Sequence, residues 1–339
     1  SATKHKETSK ILKHTEYVNA TSIAPFIFIE DKKQKTPQEG LKIEVVRSGY
    51  DTNKKLLIKR RVTNDLKIKA GYDYTGYRFK NDLLALFFSN YDYRLMLSFF
   101  NSSLISYFTT LCSAQIGKGT RGWLQTNEIR NIPIPYERNL LDKNKKNLIA
   151  MTELILKSGC VSVEIVKQID EIVFNIYHLK EFEKQRIRDF FNVHRRQKRT
   201  VSYVNKDDLQ KYVGRFRNVF NFILRDDKYL NAHGYTSSAI GSGIRFILTD
   251  KKEKQENVDI TNVKDLKTLA AIVGRKSLED VDKNKLLKQE KVKLYDKKEF
   301  AIIKSNQFKD WTETEAIKDA NEEIGLFFKS LPKDKAFNE

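Results

Sequence analysis

From Tyr17 to about Ser89 the apolar residues come in short runs: Pro25-Phe-Ile-Phe-Ile29, Leu41-Lys-Ile-Glu-Val-Val46, Lys55-Leu-Leu-Ile-Lys59 and Leu83-Leu-Ala-Leu-Phe-Phe88. Pro37, Gly40, Gly49, Asn53, Gly71 and Gly76 lie among them. Short apolar or alternating runs between such breakers predict a mixed sheet with long connections. Residues 1–16 are polar and unpatterned, a loose lead-in. Between Tyr93 and Ser113 the period changes. Leu95, Met96, Phe99, Phe100, Leu104, Ile105 and Phe108 recur at three- and four-residue spacings, which marks a core-facing helix. A glycine-bearing loop runs from Gln115 to Gln125, and the alternate prolines of Ile132-Pro-Ile-Pro135 then force an extended segment.

Asn139 to about Asn192 reads as two or three consecutive helices, broken at Ser158-Gly159 and near Leu179. Ile165, Ile169, Ile172, Val173 and Ile176 form an apolar stripe. His194-Arg-Arg-Gln-Lys-Arg199 holds no apolar residue and is expected to be an interdomain linker. Beyond it the pattern predicts a helix around Leu209 to Leu224, a strand over Ala239-Ile-Gly-Ser-Gly-Ile-Arg-Phe-Ile-Leu248, and a polar tip or loop from Thr249 to Asn257. A strand over Glu299-Phe-Ala-Ile-Ile-Lys304 and a helix from about Thr312 to Phe328 complete it. The fold class is α+β: a mixed-sheet region over 1–138, a helical segment with its linker over 139–199, and a second, smaller α+β domain over 200–339.

With 339 residues, 40% of them hydrophobic, the chain has material for about two packed domains. No run approaches the roughly 18 apolar residues of a membrane span, and no signal peptide opens it, so a soluble cytoplasmic protein without a membrane partner is expected. Cys112 and Cys160 sit in apolar helical contexts and read as two buried thiols rather than a disulfide. The chain begins with Ser1, far from either Met, which suggests sequence missing upstream. The net charge is +19, of which residues 1–200 carry +15 and residues 201–339 carry +4. A concentrated surplus fits a polyanion; surface lysines of a Lys-rich proteome are the plainer explanation.

Several pieces succeed one another in a telling order. Leu56-Leu-Ile-Lys-Arg-Arg61 leads to Gly76-Tyr-Arg-Phe-Lys-Asn81. Tyr93-Arg-Leu-Met-Leu-Ser-Phe-Phe-Asn-Ser-Ser-Leu-Ile-Ser-Tyr107 precedes Gly117-Lys-Gly-Thr-Arg-Gly122 and Asn131-Ile-Pro-Ile-Pro135. Gln168-Ile-Asp-Glu-Ile-Val-Phe-Asn-Ile-Tyr177 then runs into Leu179 and Glu183. Over about residues 40–190 this resembles the TaqI-like C-terminal specificity (target-recognition) domain, which comes after the catalytic domain in type IIG and related adenine-specific restriction-modification DNA methyltransferases. The chain departs from the family in Phe-Phe-Asn-Ser-Ser, where leucines are usual, and in His178, where glycine is usual. More loosely, Ile302-Ile-Lys304 with Gln307, Trp311, Thr312, Ala316 and Asp319 resembles the tail of some large restriction-modification methylases; a strand-helix packing corner explains it equally.

The resemblance implies double-stranded DNA as partner and a methyltransferase catalytic domain or subunit as companion. S-adenosylmethionine is expected in that missing domain, with no cofactor in this chain. The residues suited to DNA contact are Lys59, Arg60, Arg61, Arg78, Lys118, Arg121 and Trp123. Arginine and lysine clamp phosphates or read guanine edges, and Trp123 can stack or wedge or simply anchor a core. Gly117, Gly119 and Gly122 would let backbone approach a phosphate. Lys118 and Arg121 are expected to centre one concave DNA-facing wall. No catalytic motif of such an enzyme is found in the chain: no Pro-Pro occurs, so the Asn/Asp-Pro-Pro-Tyr/Phe tetrapeptide that grips a flipped adenine is missing, and so is a methyl-donor loop. Gly241-Ser-Gly243 lacks the GxGxxG context and reads as a tight strand or turn. Glu44, Asp51 and Lys54, or Asp226, Asp227 and Lys228, would make a metal nuclease only on paper, and the histidines and cysteines have no metal-ligand spacing. The competing function is a protein assembly module of a restriction-modification or phage-defence complex that reads no bases.

Overall fold

The computed structural model describes residues 16–29, 34–35, 54–79, 81–88, 91–116, 122–197, 202–224, 228–237, 241–250, 260–262, 291–296 and 299–330. The chain divides into two units, Ser1–Arg195 and Arg196–Glu339, each built of helices and sheet. The runs at 41–46 and 251–257, with Gly117, Lys118, Gly119, Arg121, Glu44, Asp51, Asp226 and Asp227, lie outside the described residues.

In the first unit, strands Glu16–Val18 (β1), Gln34–Lys35 (β2) and Arg78–Phe79 (β5) make one small sheet in the order β2-β1-β5. Lys55–Lys59 (β3), Ala70–Asp73 (β4) and Leu83–Leu86 (β6) make another, in the order β4-β3-β6 and antiparallel throughout. The central β3 is apolar at consecutive positions because both its faces are covered. Leu56 and Ile58 enter the main core with the helices, while Leu57 joins Val18, Ile23 and Leu83 in a smaller cluster. Its first residue, Lys55, pairs with Asp73 at 2.9 Å with both side chains fully buried. The Asp73 carboxylate also accepts the N–H groups of Thr75, Gly76 and Tyr77 at 3.0 Å, so one charge pair fixes the β3–β4 register and the turn toward β5.

The single helix expected from Tyr93 to Ser113 is two: Tyr93–Asn101 (α1) and Ser103–Cys112 (α2), bent by 60°. Ser102 makes the break. Its backbone is extended, and its hydroxyl caps α2 by accepting the Ile105 N–H at 3.3 Å. The polar residues around the bend each serve buried backbone or carboxylate. Asn101 accepts the Ala70 N–H (3.1 Å) and donates to the Ala70 carbonyl (3.0 Å), taking the place of a neighbouring strand at the edge of β4. The Ser106 hydroxyl accepts the Ile68 N–H at 3.1 Å, and the Ser103 N–H donates to Asp170 at 2.6 Å. Lys67 donates to the Ser103 hydroxyl, which donates to Asp170, and the Lys67 ammonium lies 3.8 Å from the Phe191 ring centroid. Burial pushes Asp170 up and Lys67 down, against their mutual attraction.

Thr126–Arg130 (α3), Asp142–Ser158 (α4), Val163–Ile176 (α5) and Glu181–Gln197 (α6) come next. Leu148 and Ile155 of α4 and Ile169 and Val173 of α5 share the core of Phe26, Leu56 and Ile58, so the helical segment packs as part of the first unit rather than standing apart. The expected linker differs too: His194 to Gln197 form the last turn of α6. After α5, Leu179 N–H donates to Phe174 O and His178 N–H to Asn175 O, both at 3.0 Å, with His178 at φ 54. That is a left-handed C-terminal cap, which explains why glycine suits position 178. Neither cysteine is buried. Cys112 lies on the outward side of the end of α2 and Cys160 comes just after Gly159 where α4 stops; both are exposed free thiols.

The second unit is a five-stranded sheet of Tyr229–Ser237 (β7), Gly241–Thr249 (β8), Ile260–Asn262 (β9), Lys291–Asp296 (β10) and Glu299–Lys304 (β11), in the order β10-β11-β8-β7-β9. Only β7 and β9 run parallel among these pairs. Lys206–Phe220 (α7) and Glu313–Ser330 (α8) pack with it around Phe216, Phe246, Ile302 and Trp311. Gly241 sits at φ 154, and a Cβ there would lie 2.4 Å from the Lys304 carbonyl oxygen, so a glycine is needed where β8 starts beside β11. Among the described residues no single helix is long and apolar enough to cross a membrane; the bent pair α1–α2 is core.

Candidate nucleic-acid interface

Where β3 ends, the backbone meets two distant segments. Arg60 N–H donates to the Asp82 carbonyl at 3.0 Å, and Arg60 O accepts the Leu124 N–H at 2.7 Å. Val62 N–H reaches Gly122 O at 3.2 Å, and Arg61 bridges Trp123 in antiparallel fashion. A Cβ on Gly122 would lie 3.0 Å from Ile116 Cα, so a larger residue there would require Ile116 to give by a few tenths of an ångström.

This meeting gathers Arg60, Arg61, Asn81 and Trp123. The Arg60 guanidinium lies 5.2 Å from the Trp123 ring centroid. Its Nη1 donates to Asn81 Oδ1 (2.5 Å) and to the Asn81 carbonyl (3.2 Å), and its Nε to the Leu124 carbonyl (3.4 Å). Every partner it has among the described residues is neutral. The neighbouring carboxylate of Asp82 turns instead to the Ala20 N–H at 2.9 Å, and its other oxygen is buried without a donor among the described residues. Arg61 is exposed and its side chain has no partner among the described residues. Elsewhere several guanidinium groups are matched with carboxylates, Arg94 with Asp92 and Glu153, Arg188 with Glu171 and Glu181, Arg196 with Asp208, Arg215 with Glu313 and Arg245 with Glu299, while Arg195 donates to the neutral Asn192 Oδ1 at 3.2 Å and Arg138 lies against the Tyr136 ring. The cationic charge at 60–61 is therefore both positioned and uncompensated, the state in which a guanidinium has most to gain from an external anion or acceptor.

Of the residues expected at a DNA surface, Arg60, Arg61 and Trp123 come together. Lys59 is the part-buried last residue of β3 beside them. Arg78 lies in β5, opposite Tyr17 of β1, in the other sheet. Lys118 and Arg121, and with them the expected concave wall, lie outside the described residues. Trp123 is half-buried rather than a core anchor. Sequence reasoning passed over Asn81, although it closes the Gly76 to Asn81 segment; nothing in a linear reading says that an asparagine will face an arginine 21 residues earlier. Tyr136, which follows Pro135 but no Pro-Pro pair, is 62% exposed with the Arg138 guanidinium 5.3 Å from its ring.

The net charge is less lopsided by unit than by half. The boundary at Arg195 gives the first unit 33 Lys/Arg against 21 Asp/Glu and the second 30 against 23. The local arrangement, not the total, distinguishes the 60–61 site. Among the described residues no group of three or more His, Cys, Asp or Glu is placed to hold a metal. In the second unit, Lys228, one of the residues suggestive of a nuclease, is paired with Asp250. The residues resembling a methylase tail form a buried network. Lys304 pairs with Asp319, which also takes the Tyr212 hydroxyl and, at 2.9 Å, Lys291, while Trp311 Nε1 donates to Ser305 O at 2.7 Å. Burial alone would raise Asp319, but Lys304, Tyr212 and Lys291 outweigh it and hold the carboxyl below its ordinary range. No protein-family model matches this chain, and no curated protein matches it significantly.

Proposed function

We propose that the chain is the sequence-specific duplex-DNA recognition module of a restriction-modification adenine-N6 methyltransferase whose catalytic domain lies elsewhere. Its task is to dock on the duplex and present the target adenine for flipping and methyl transfer from S-adenosylmethionine bound to that other domain. The observation that carries this reading is the Arg60–Asn81–Trp123 cluster with Arg61 beside it: fixed, surface-facing cationic charge without carboxylate compensation, in the stretch where the motif order resembles specificity domains. The net charge of +19 supports it as a source of long-range attraction.

The test is a gel-shift titration of the full chain on mixed-sequence duplex DNA at increasing salt. The expected result is an affinity that falls as log K against log salt with a slope of about −0.9 per phosphate neutralised. Absent or salt-indifferent binding would overturn the proposal. An assembly role draws on a different observation: Phe222, 92% exposed after α7, and Tyr203, 68% exposed, are large hydrophobic side chains on the surface of the second unit. That reading predicts co-elution with a methyltransferase subunit that Phe222→Ser abolishes.

A further inference from the structure

Resting on the DNA-recognition reading, we propose that Arg60 and Arg61 together clamp the phosphate backbone of the duplex and read no base, so that sequence is read by other parts of the chain. A base edge and a phosphodiester make different demands on an arginine. Guanine O6 and N7 must be met by two nitrogens along one edge of a guanidinium, whereas the free oxygens of a phosphate accept from many directions. The two edges of Arg60 are Nε with Nη2 and Nη1 with Nη2. Nε is engaged by the Leu124 carbonyl, and Nη1 by the Asn81 carbonyl and Oδ1, so neither edge offers two free nitrogens. Nη2 alone has no acceptor among the described residues. The neighbouring bonds to Asn81 are exposed, so this end of the guanidinium lies at the surface, within reach of an anion.

The arrangement of charge argues in the same direction. The bonds from Leu124 N–H to Arg60 O and from Val62 N–H to Gly122 O bracket the Arg61–Trp123 bridge, the pattern in which opposed side chains stand closest. The Arg60 guanidinium lies 5.2 Å from the ring of the same Trp123. Two cations thus neighbour one indole, and no carboxylate among the described residues is paired with either. The Trp123 Nε1–H also meets no acceptor among the described residues. What is left unsatisfied here is donors alone. A neutral base edge would leave both charges uncompensated. A phosphate has only acceptors to present and carries the opposite charge.

The test measures binding of the full chain to duplex DNA against salt, for wild type and for alanine and lysine variants at 60 and 61, beside selection from a pool of duplexes with a randomised centre. Losing one phosphate contact removes about 0.9 from the slope of log K against log salt. Arg61→Ala should therefore weaken every duplex alike, and the wild-type advantage should shrink about three- to fourfold when salt rises fourfold. Arg60→Ala should do the same, and the double alanine variant should lose about twice the slope. Arg60→Lys and Arg61→Lys should keep the slope, because a phosphate needs a charge rather than a fork. The bases enriched by selection should be the same for every variant. Duplexes with one neutral methylphosphonate linkage, scanned along each strand, should reveal linkages whose neutralisation weakens wild type and leaves the double variant unchanged. Thermal melting excludes a folding defect, and Arg61→Ala, whose side chain holds nothing in place among the described residues, carries the test if Arg60→Ala melts early. If the alanine variants keep the wild-type slope, the clamp is wrong while DNA recognition stands. If a lysine variant loses a preferred base, the pair reads sequence and the proposal is wrong. If wild type binds no duplex at all, both fall.

Discussion

Two clusters of cationic side chains, one in each unit, use the same residue chemistry to opposite ends. In the second unit Lys291, Lys293 and Lys304 all end on carboxylates: Asp319 and Glu322 for the first, Glu322 and Glu323 for the second, Asp319 for the third. These pairs tie β10 and β11 to α8, and Lys304 and Asp319 are almost fully buried. In the first unit Arg60 is held by an amide, a carbonyl and an indole, and Arg61, among the described residues, by nothing but its backbone. A cation whose partner is a carboxylate is already satisfied and acts as a lock. A cation whose partners are neutral keeps its charge for something outside. Net charge counts the two alike, which is why +19 by itself says little about where a polyanion would sit.

The largest effect expected on either side of this contrast comes from unlocking the second unit. Asp319→Asn leaves Lys304 buried without a counter-charge and should lose about 3–5 kcal/mol in denaturant unfolding. Because the chain has two tryptophans, one in each unit, Trp311 fluorescence in a Trp123→Phe background reports this unit alone. A loss under about 1 kcal/mol, the size of one ordinary hydrogen bond, would mean that the lock is ornamental.

Acid separates the units next. Asp319 is held below its ordinary range when folded, so its stabilisation is full above the unfolded-state value of about 4 and is lost as pH falls through the folded one. Asp170 is raised by burial, so lowering the pH through its folded value favours the folded first unit. Trp311 fluorescence should therefore show stability falling at acid pH, with that limb flattened in Asp319→Asn. A limb of unchanged steepness in the variant contradicts the assignment.

A smaller change touches neither cluster. His178→Gly relieves the left-handed backbone and should raise first-unit stability by about 1 kcal/mol; hydrogen exchange of α5 amides checks it, and no gain would mean that the imidazole compensates its strained backbone. Least of all should be felt at the other pole of the contrast: Arg61→Ala is expected to alter stability by no more than about 0.5 kcal/mol in the same denaturant melts. A larger loss would show that Arg61 is a structural cation after all.

The elements with strong periodicity were legible in advance, and the exceptions are instructive. β3 is Leu-Leu-Ile flanked by lysines, and the stripe of Ile165, Ile169, Ile172, Val173 and Ile176 falls within α5. The bend at Ser102 was not legible, because Phe99, Phe100, Leu104 and Ile105 keep a helical spacing across it; only the hydroxyl caps at Ser102 reveal that two helices share one stripe. β7 was missed because its core-facing positions include Ala232 and Gly234, too small to register as an apolar alternation. The cysteines were expected inside because their neighbours are apolar, but each sits at a helix end, where the apolar face no longer covers the residues beyond it.

By itself the sequence determined where the strongly periodic segments lie, that a buried core would form, and that two arginines stand side by side after β3, since these depend on residues near one another along the chain. Whether those arginines would be paired or left uncompensated was decided only in three dimensions. Asn81 and Trp123 reach Arg60 through strand pairing between segments far apart in sequence, and Asp82 turns its carboxylate toward Ala20 instead. Availability of charge is a property of neighbours in space, and long-range backbone pairing chooses those neighbours.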